Sequence, residues 1–170
     1  MKIYSAKKKS LYEYELIKEI KQKSLFYLYE LNKYCFCELK DGIFIFCGYL
    51  DKTLRLYFDK KEIKYLLDSY ATSIIKIDET QFVTGHNNGL IAKWEITIIN
   101  SNNQIDLKLD KIHSLKSNNN CITCLEYNQK INIILSCDNI EIIIRNYYNL
   151  EFLAYIKINT NNNFHKTINL

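Results

Sequence analysis

Phe82-Val83-Thr84-Gly85-His86-Asn87-Asn88-Gly89-Leu90-Ile91-Ala92-Lys93-Trp94 is the stretch that decides the fold. An apolar run meets a glycine, a short polar turn follows, and a second β-prone run ends in an aromatic residue. Asn88-Gly89 supplies the residue types of a tight turn, because asparagine and glycine tolerate positive φ. The pattern is that of a β-hairpin. A matching stretch, Ile45-Phe46-Cys47-Gly48-Tyr49-Leu50-Asp51-Lys52-Thr53-Leu54-Arg55-Leu56-Tyr57, lies 37 residues earlier, so Gly48 corresponds to Gly85 and Tyr57 to Trp94. Leu50-Asp51 occupies its turn; Leu54 and Leu56 point to one face, and Thr53, Arg55 and Tyr57 to the other. A third copy runs from Ile133 to Asn146, with Cys137 standing 52 residues after Gly85, so one unit carries an insertion. A weaker fourth copy opens the chain: Ile3-Tyr4-Ser5-Ala6, a lysine turn, then Leu11-Tyr12-Glu13-Tyr14.

Further β-prone runs flank each hairpin. Tyr34–Cys37, Ser73–Ile77 and Cys121–Leu125 precede the three copies, and Glu62–Leu66 and Glu151–Ile158 follow two of them. Four strands per unit of about forty residues is the period of a propeller blade. The expected fold is therefore all-β, an incomplete β-propeller of about three to four four-stranded blades. The units fall near 1–31, 32–68, 69–110 and 111–158, with a tail at 159–170. Leu16, Ile17 and Ile20 have helical spacing, but the tyrosines between Leu11 and Leu31 and the missing caps favour strands at least equally. The polar, Asn-rich segment from Ile98 to Asn120 reads as a blade end, an exposed loop and the approach to the next blade.

Composition narrows the function. Of 170 residues 48% are apolar and 25% charged, which suits a folded domain rather than a disordered chain. The net charge of +4 comes from scattered lysines such as Lys7-Lys8-Lys9 and Lys60-Lys61, which flank strands instead of forming one stripe. No nucleic-acid partner is expected. With only four glycines, no nucleotide-cradling loop is expected, nor a small-molecule substrate. No apolar run is long enough to cross a bilayer and the start lacks a leader's apolar stretch, so a cytoplasmic location with reduced cysteines is expected.

The stretch from Gly85 to Glu95 resembles the WD-repeat signature, with Asn88 and Glu95 in place of its two aspartates. The run from Cys47 to Tyr57 is similar to the propeller that closes BEACH-domain proteins (the beige and neurobeachin group), with Leu50 where that family has tryptophan. Ile122-Thr123-Cys124-Leu125 and Ile144-Arg145-Asn146 resemble that group's later blades. The resemblance spans roughly residues 1–158 and implies a scaffold in vesicle and lysosomal membrane traffic. On that reading the chain lacks the BEACH and pleckstrin-homology-like modules and has too few blades to close the ring, so a fragment of a larger protein is expected. The other class of function it admits is a general WD-repeat adaptor, recruiting substrates to a ubiquitin ligase or serving a ribonucleoprotein.

The candidate residues follow from these readings. Tyr49, Leu50, Lys52, His86 and Asn87 in the turns, with Tyr70 and the loop 113–120, form the expected partner-binding rim, since function concentrates on loops held by a rigid scaffold. Gly48, Asp51, Thr84, Gly85, Asn88, Gly89, Trp94, His113, Ser136 and Asp138 are the structural blade positions. In WD repeats a histidine, a strand hydroxyl, a turn aspartate and the tryptophan share a buried network; the resemblance implies one such set at His113, Ser136 and Asp138, and another at Thr84, Asn88 and Trp94. Cys121-x-x-Cys124 with Cys35-x-Cys37 has metal-ligand spacing, but on a strand positions 121 and 124 face opposite ways. No catalytic residue, cofactor or metal is expected. The expected partners are other proteins or adjacent domains of a larger parent chain, with peripheral membrane association left open.

Overall fold

The computed structural model describes residues 35–47, 52–58, 61–101 and 104–158, all within the unit Lys33–Leu170. The expected unit 1–31 with its Leu11–Leu31 segment, the positions Gly48, Tyr49, Leu50 and Asp51, and the tail 159–170 lie outside the described residues.

Among the described residues, twelve strands build three antiparallel four-stranded sheets, each ordered as in the chain. The first holds β1 (Phe36–Glu38), β2 (Phe44–Cys47), β3 (Thr53–Phe58) and β4 (Lys61–Leu66). The second holds β5 (Ala71–Lys76), β6 (Gln81–His86), β7 (Leu90–Ser101) and β8 (Gln104–Lys116). The third holds β9 (Cys124–Asn128), β10 (Ile133–Cys137), β11 (Glu141–Asn146) and β12 (Phe152–Lys157). The first strands are neighbours, β5 touching both β1 and β9. The arrangement is propeller-like, the three sheets forming blades 1, 2 and 3 in chain order.

Alternation explains the packing. In β3, Leu54 and Leu56 are fully buried while Thr53, Arg55 and Tyr57 are half-buried. These leucines join Ile45 and Cys47 in a core shared with Phe82, Ala92 and Trp94 of blade 2. The opposite face of blade 2 presents Val83 and Ile91 to Ile122, Leu125 and Ile134 of the next unit. Each fully buried aliphatic side chain contributes roughly 1.5–3 kcal/mol. Strand β6 is apolar or neutral on both faces because blades cover both of them, as its burial from Phe82 to His86 records.

The described part of the insertion is strand. Residues 98–120, expected to be a blade end, an exposed loop and the approach to the next blade, instead carry much of a long hairpin: β7 and β8 pair from Leu90↔Lys116 to Ser101↔Gln104, with one register shift at Lys93/Trp94. Strand β6 pairs with β7 only as far as Gln81↔Glu95, so the hairpin continues past it as a two-stranded ribbon. Ile96 and Ile98 face Leu109 and Leu107 across the pair, an alternation that the Asn-rich tip obscures. Leu107 and Leu109 pack on the core shared with blade 1, and Lys61 meets Asp106 at 3.3 Å. The expected boundary at 110/111 thus falls inside β8.

Candidate functional site

Two hydrogen-bonded networks lie inside the blades, beneath the end at which β6 turns into β7. In blade 2, Trp94 on β7 is fully buried, and its indole Nε1–H donates to Thr84 Oγ1 at 2.8 Å. Thr84 Oγ1 lies 2.9 Å from His86 Nε2. On the other side of the ring, His86 Nδ1 is 3.2 Å from the Ser69 carbonyl and 3.0 Å from its hydroxyl, which donates to Asn88 Oδ1 at 3.2 Å. With Nδ1–H donating to the carbonyl and Nε2 accepting from Thr84, every donor has an acceptor, which assigns the neutral tautomer. Burial pushes the imidazole down to about 4, against the opposing hydrogen bond to the Ser69 carbonyl; Lys111 lowers it further and Asp68 raises it.

Blade 3 repeats the scheme with other residues. Ser136 Oγ meets Ser117 Oγ at 2.8 Å and donates to Asn118 Oδ1 at 2.7 Å. Arg145 Nε donates to Ser117 Oγ at 2.9 Å and its Nη1 to the Leu150 carbonyl at 2.8 Å. Asp138 Oδ1 accepts the Ile140 and Glu141 N–H groups at 2.8 Å each, and its Oδ2 accepts from Asn120 at 3.3 Å. Burial acts to raise this carboxyl, but those donors outweigh it and hold it below the ordinary value. A polar group shut away from water costs about 1–3 kcal/mol unless bonded, so both networks work chiefly by satisfying groups that the packing buries.

The expected positions separate accordingly. Thr84, Trp94 and Asn88 come together, joined through His86 and Ser69. His86 itself, expected at the exposed rim, is 2% exposed, because the close of β6 turns its ring between Ser69 and Thr84. His113 does not meet Ser136 and Asp138: it is exposed on β8, opposite Lys93, because the long hairpin carries it into blade 2. Ser117, Asn118 and Asn120 take that place. The two glycines are fixed by crowding. A Cβ on Gly89, at φ 81°, would stand 1.9 Å from the Asn118 carbonyl oxygen, and one on Gly85 would stand 2.6 Å from Ile122 and from Ser73.

At the rim, Lys52 and Tyr70 are brought together, the ammonium 5.4 Å from the ring centroid, and Asn87 N–H donates to the Tyr70 carbonyl at 2.9 Å. Asn87 is exposed while Lys52 and Tyr70 are half-buried; of the loop 113–120, residues 113–116 are strand and Ser117 and Asn118 are buried. The opposite end carries an aromatic cluster that the sequence reading passed over. Tyr147 lies 5.2 Å from Tyr127 and 4.8 Å from Tyr148, and Lys93 Nζ sits 3.9 Å above its ring. Tyr148 is 62% exposed. Its signal was the Tyr147-Tyr148 pair directly after β11.

Among the described residues, no group of three or more His, Cys, Asp or Glu side chains is placed to hold a metal ion. Cys35 and Cys37 are buried, and burial pushes their thiols up to about 11 and about 12. Strand β9 starts at Cys124, so Cys121 precedes it and the expected opposition of 121 and 124 on one strand does not arise. No described helix is long and apolar enough to cross a membrane. Comparison with protein families and with curated proteins found no match.

Proposed function

We propose that this chain is a WD-repeat propeller segment acting as a protein-binding scaffold, without chemistry of its own, of the type that closes BEACH-domain proteins in vesicle and lysosomal membrane traffic. One observation carries the reading: the linked Trp94, Thr84, His86 and Ser69 side chains inside a four-stranded blade. This buried set matches in kind the network that WD repeats use to stiffen a blade, with Ser69 and His86 in altered places. A rigid blade whose polar side chains are spent on one another leaves its turns to meet partners. The resemblance at Cys47–Tyr57 and Cys121–Asn146 supports the BEACH-type assignment and a cytoplasmic, membrane-peripheral setting.

The test is affinity capture from cytosol and solubilised membranes with the wild-type chain and a Tyr70→Ala, Asn87→Ala variant of equal thermal stability. The reading expects membrane-traffic proteins to be captured and their recovery to fall roughly tenfold in the variant, the usual weight of an interface tyrosine. Equal recovery by both chains, or no specific capture, overturns the rim assignment. Capture of ubiquitin-ligase or ribonucleoprotein subunits instead selects the adaptor reading.

A further inference from the structure

Cys124 and Cys137 stand directly opposite each other on β9 and β10, the register ending at Cys137↔Cys124. Directly opposed residues of an antiparallel pair share a face, with Cα atoms about 4.5–5.5 Å apart. That separation lies inside the window of roughly 4.4–6.8 Å that a disulfide spans. Both cysteines are free, and both are half-buried, unlike Cys35, Cys37 and Cys47. They lie on the face of the sheet opposite Leu125 and Ser136, and Leu125 packs in the core shared with blade 2. Each thiol leans on the carbonyl of the following residue, Cys124 Sγ to Leu125 at 3.7 Å and Cys137 Sγ to Asp138 at 3.3 Å. A rotation about χ1 would turn the two sulfurs toward each other.

We propose that Cys124 and Cys137 form a modification site, an intramolecular cross-strand disulfide made by exchange with a low-molecular-weight disulfide. One cysteine loses its proton and its thiolate attacks the small disulfide, forming a mixed disulfide and releasing one small thiolate. The second cysteine loses its proton, attacks the protein sulfur of that mixed disulfide and releases the other thiolate. Two protein thiols and one small disulfide thus become one protein disulfide and two small thiols. Burial and neighbouring charge raise both thiols, Glu126 acting on Cys124, and Cys124 and Asp138 on Cys137. Exchange is therefore slow at neutral pH and faster in mildly alkaline solution. The bond would join the two innermost strands of blade 3, which the connector Ser117–Thr123 links to blade 2.

The experiment exposes the full chain to oxidised glutathione at pH 8.5, blocks free thiols and maps unreduced tryptic peptides. Cleavage after Lys116, Lys130 and Arg145 separates Ser117–Lys130, which holds Cys121 and Cys124, from Ile131–Arg145, which holds Cys137. The proposal expects these two peptides to be joined, retained in Cys121→Ser, and at least roughly tenfold more abundant than from the chain oxidised in urea, because the register holds the thiols at high effective concentration. Fragment ions between Cys121 and Cys124 assign the linkage in the wild-type chain should the variant fail to fold. Separate glutathione adducts without the joined peptides, linkage through Cys121, or equal yields folded and unfolded would each overturn it.

Discussion

In blade 2 the hydroxyl held between the inner strands belongs to Thr84, whose β7 partner is Ala92, and the donor two residues beyond that partner is Trp94. In blade 3 the hydroxyl belongs to Ser136, its β11 partner is Ile143, and two residues on stands Arg145. The residue two past the hydroxyl also differs: His86 in one blade, Asp138 in the other. His86 turns inward and bridges Thr84 to Ser69, whereas Asp138 caps the following turn through Ile140 and Glu141. The strand pairing dictates where a polar group is needed, and several residue types can fill the place. Trp94 meets the need while burying a large apolar surface against Phe82 and Tyr65. Arg145 meets it with a guanidinium that must give up water, and burial lowers its pKa accordingly.

The largest expected effect tests that contrast directly. Trp94→Ala removes a fully buried ring and the indole N–H that Thr84 Oγ1 accepts, so we expect a loss of about 3–5 kcal/mol. Arg145→Ala removes two hydrogen bonds but also relieves a buried charge, so a loss of about 1–3 kcal/mol is expected. Urea unfolding of both variants at pH 7 gives the order. A costlier arginine variant would mean that hydrogen bonding, rather than apolar burial, dominates the blade interior.

A smaller effect separates His86 from Asp138 by pH. The imidazole falls from an ordinary 6.5 to about 4 in the fold, so the unfolded chain takes up its proton first. Its contribution is fully present above pH 6.5, declines as the pH falls below that, and levels off under about 4. Between pH 7 and 5 this amounts to about 2 kcal/mol. The lowered carboxyl of Asp138 acts only at more acidic pH, so the window belongs to the histidine. Lys111 and Asp68 are the charged groups acting on the ring. Comparing wild type with His86→Gln by urea unfolding at pH 7 and 5 isolates the effect, and equal losses in both chains would exclude His86 as its source.

The hairpin at 82–94 was legible because turn chemistry and alternation agree there: Asn88-Gly89 makes the turn and Trp94 closes the strand. The same signals placed β3, β10 and β11. The ribbon of β7 and β8 escaped because its apolar positions, Ile96, Ile98, Leu107 and Leu109, alternate among asparagines and lysines that read as loop. That error displaced His113 from the blade to which it was assigned. Thr84 and Trp94 were legible as a pair, but Ser69 and His86 were not, since a serine in a connector and a histidine after Gly85 carry no periodic signal. Their roles come from tertiary geometry, in which the connector folds back across the strand ends.

The smallest expected effect concerns the two turns. Asp138 accepts two turn N–H groups on one oxygen and Asn120 on the other, while Asn88 accepts Leu90 N–H and the Ser69 hydroxyl on its single carbonyl oxygen. Asp138→Asn therefore gives blade 3 the cap of blade 2, keeping one acceptor and replacing the other with a donor that faces the Asn120 amide. Neutral acceptors bond roughly half as strongly as charged ones, so a loss of about 1 kcal/mol at pH 7 is expected. Because the folded carboxyl is held below its ordinary value, its contribution is present above about pH 4 and lost as the pH falls through the folded value. The gap between wild type and Asp138→Asn should accordingly shrink as unfolding is measured toward pH 3. A gap that held constant would place the cost in the reversed Asn120 contact instead of the lost charge.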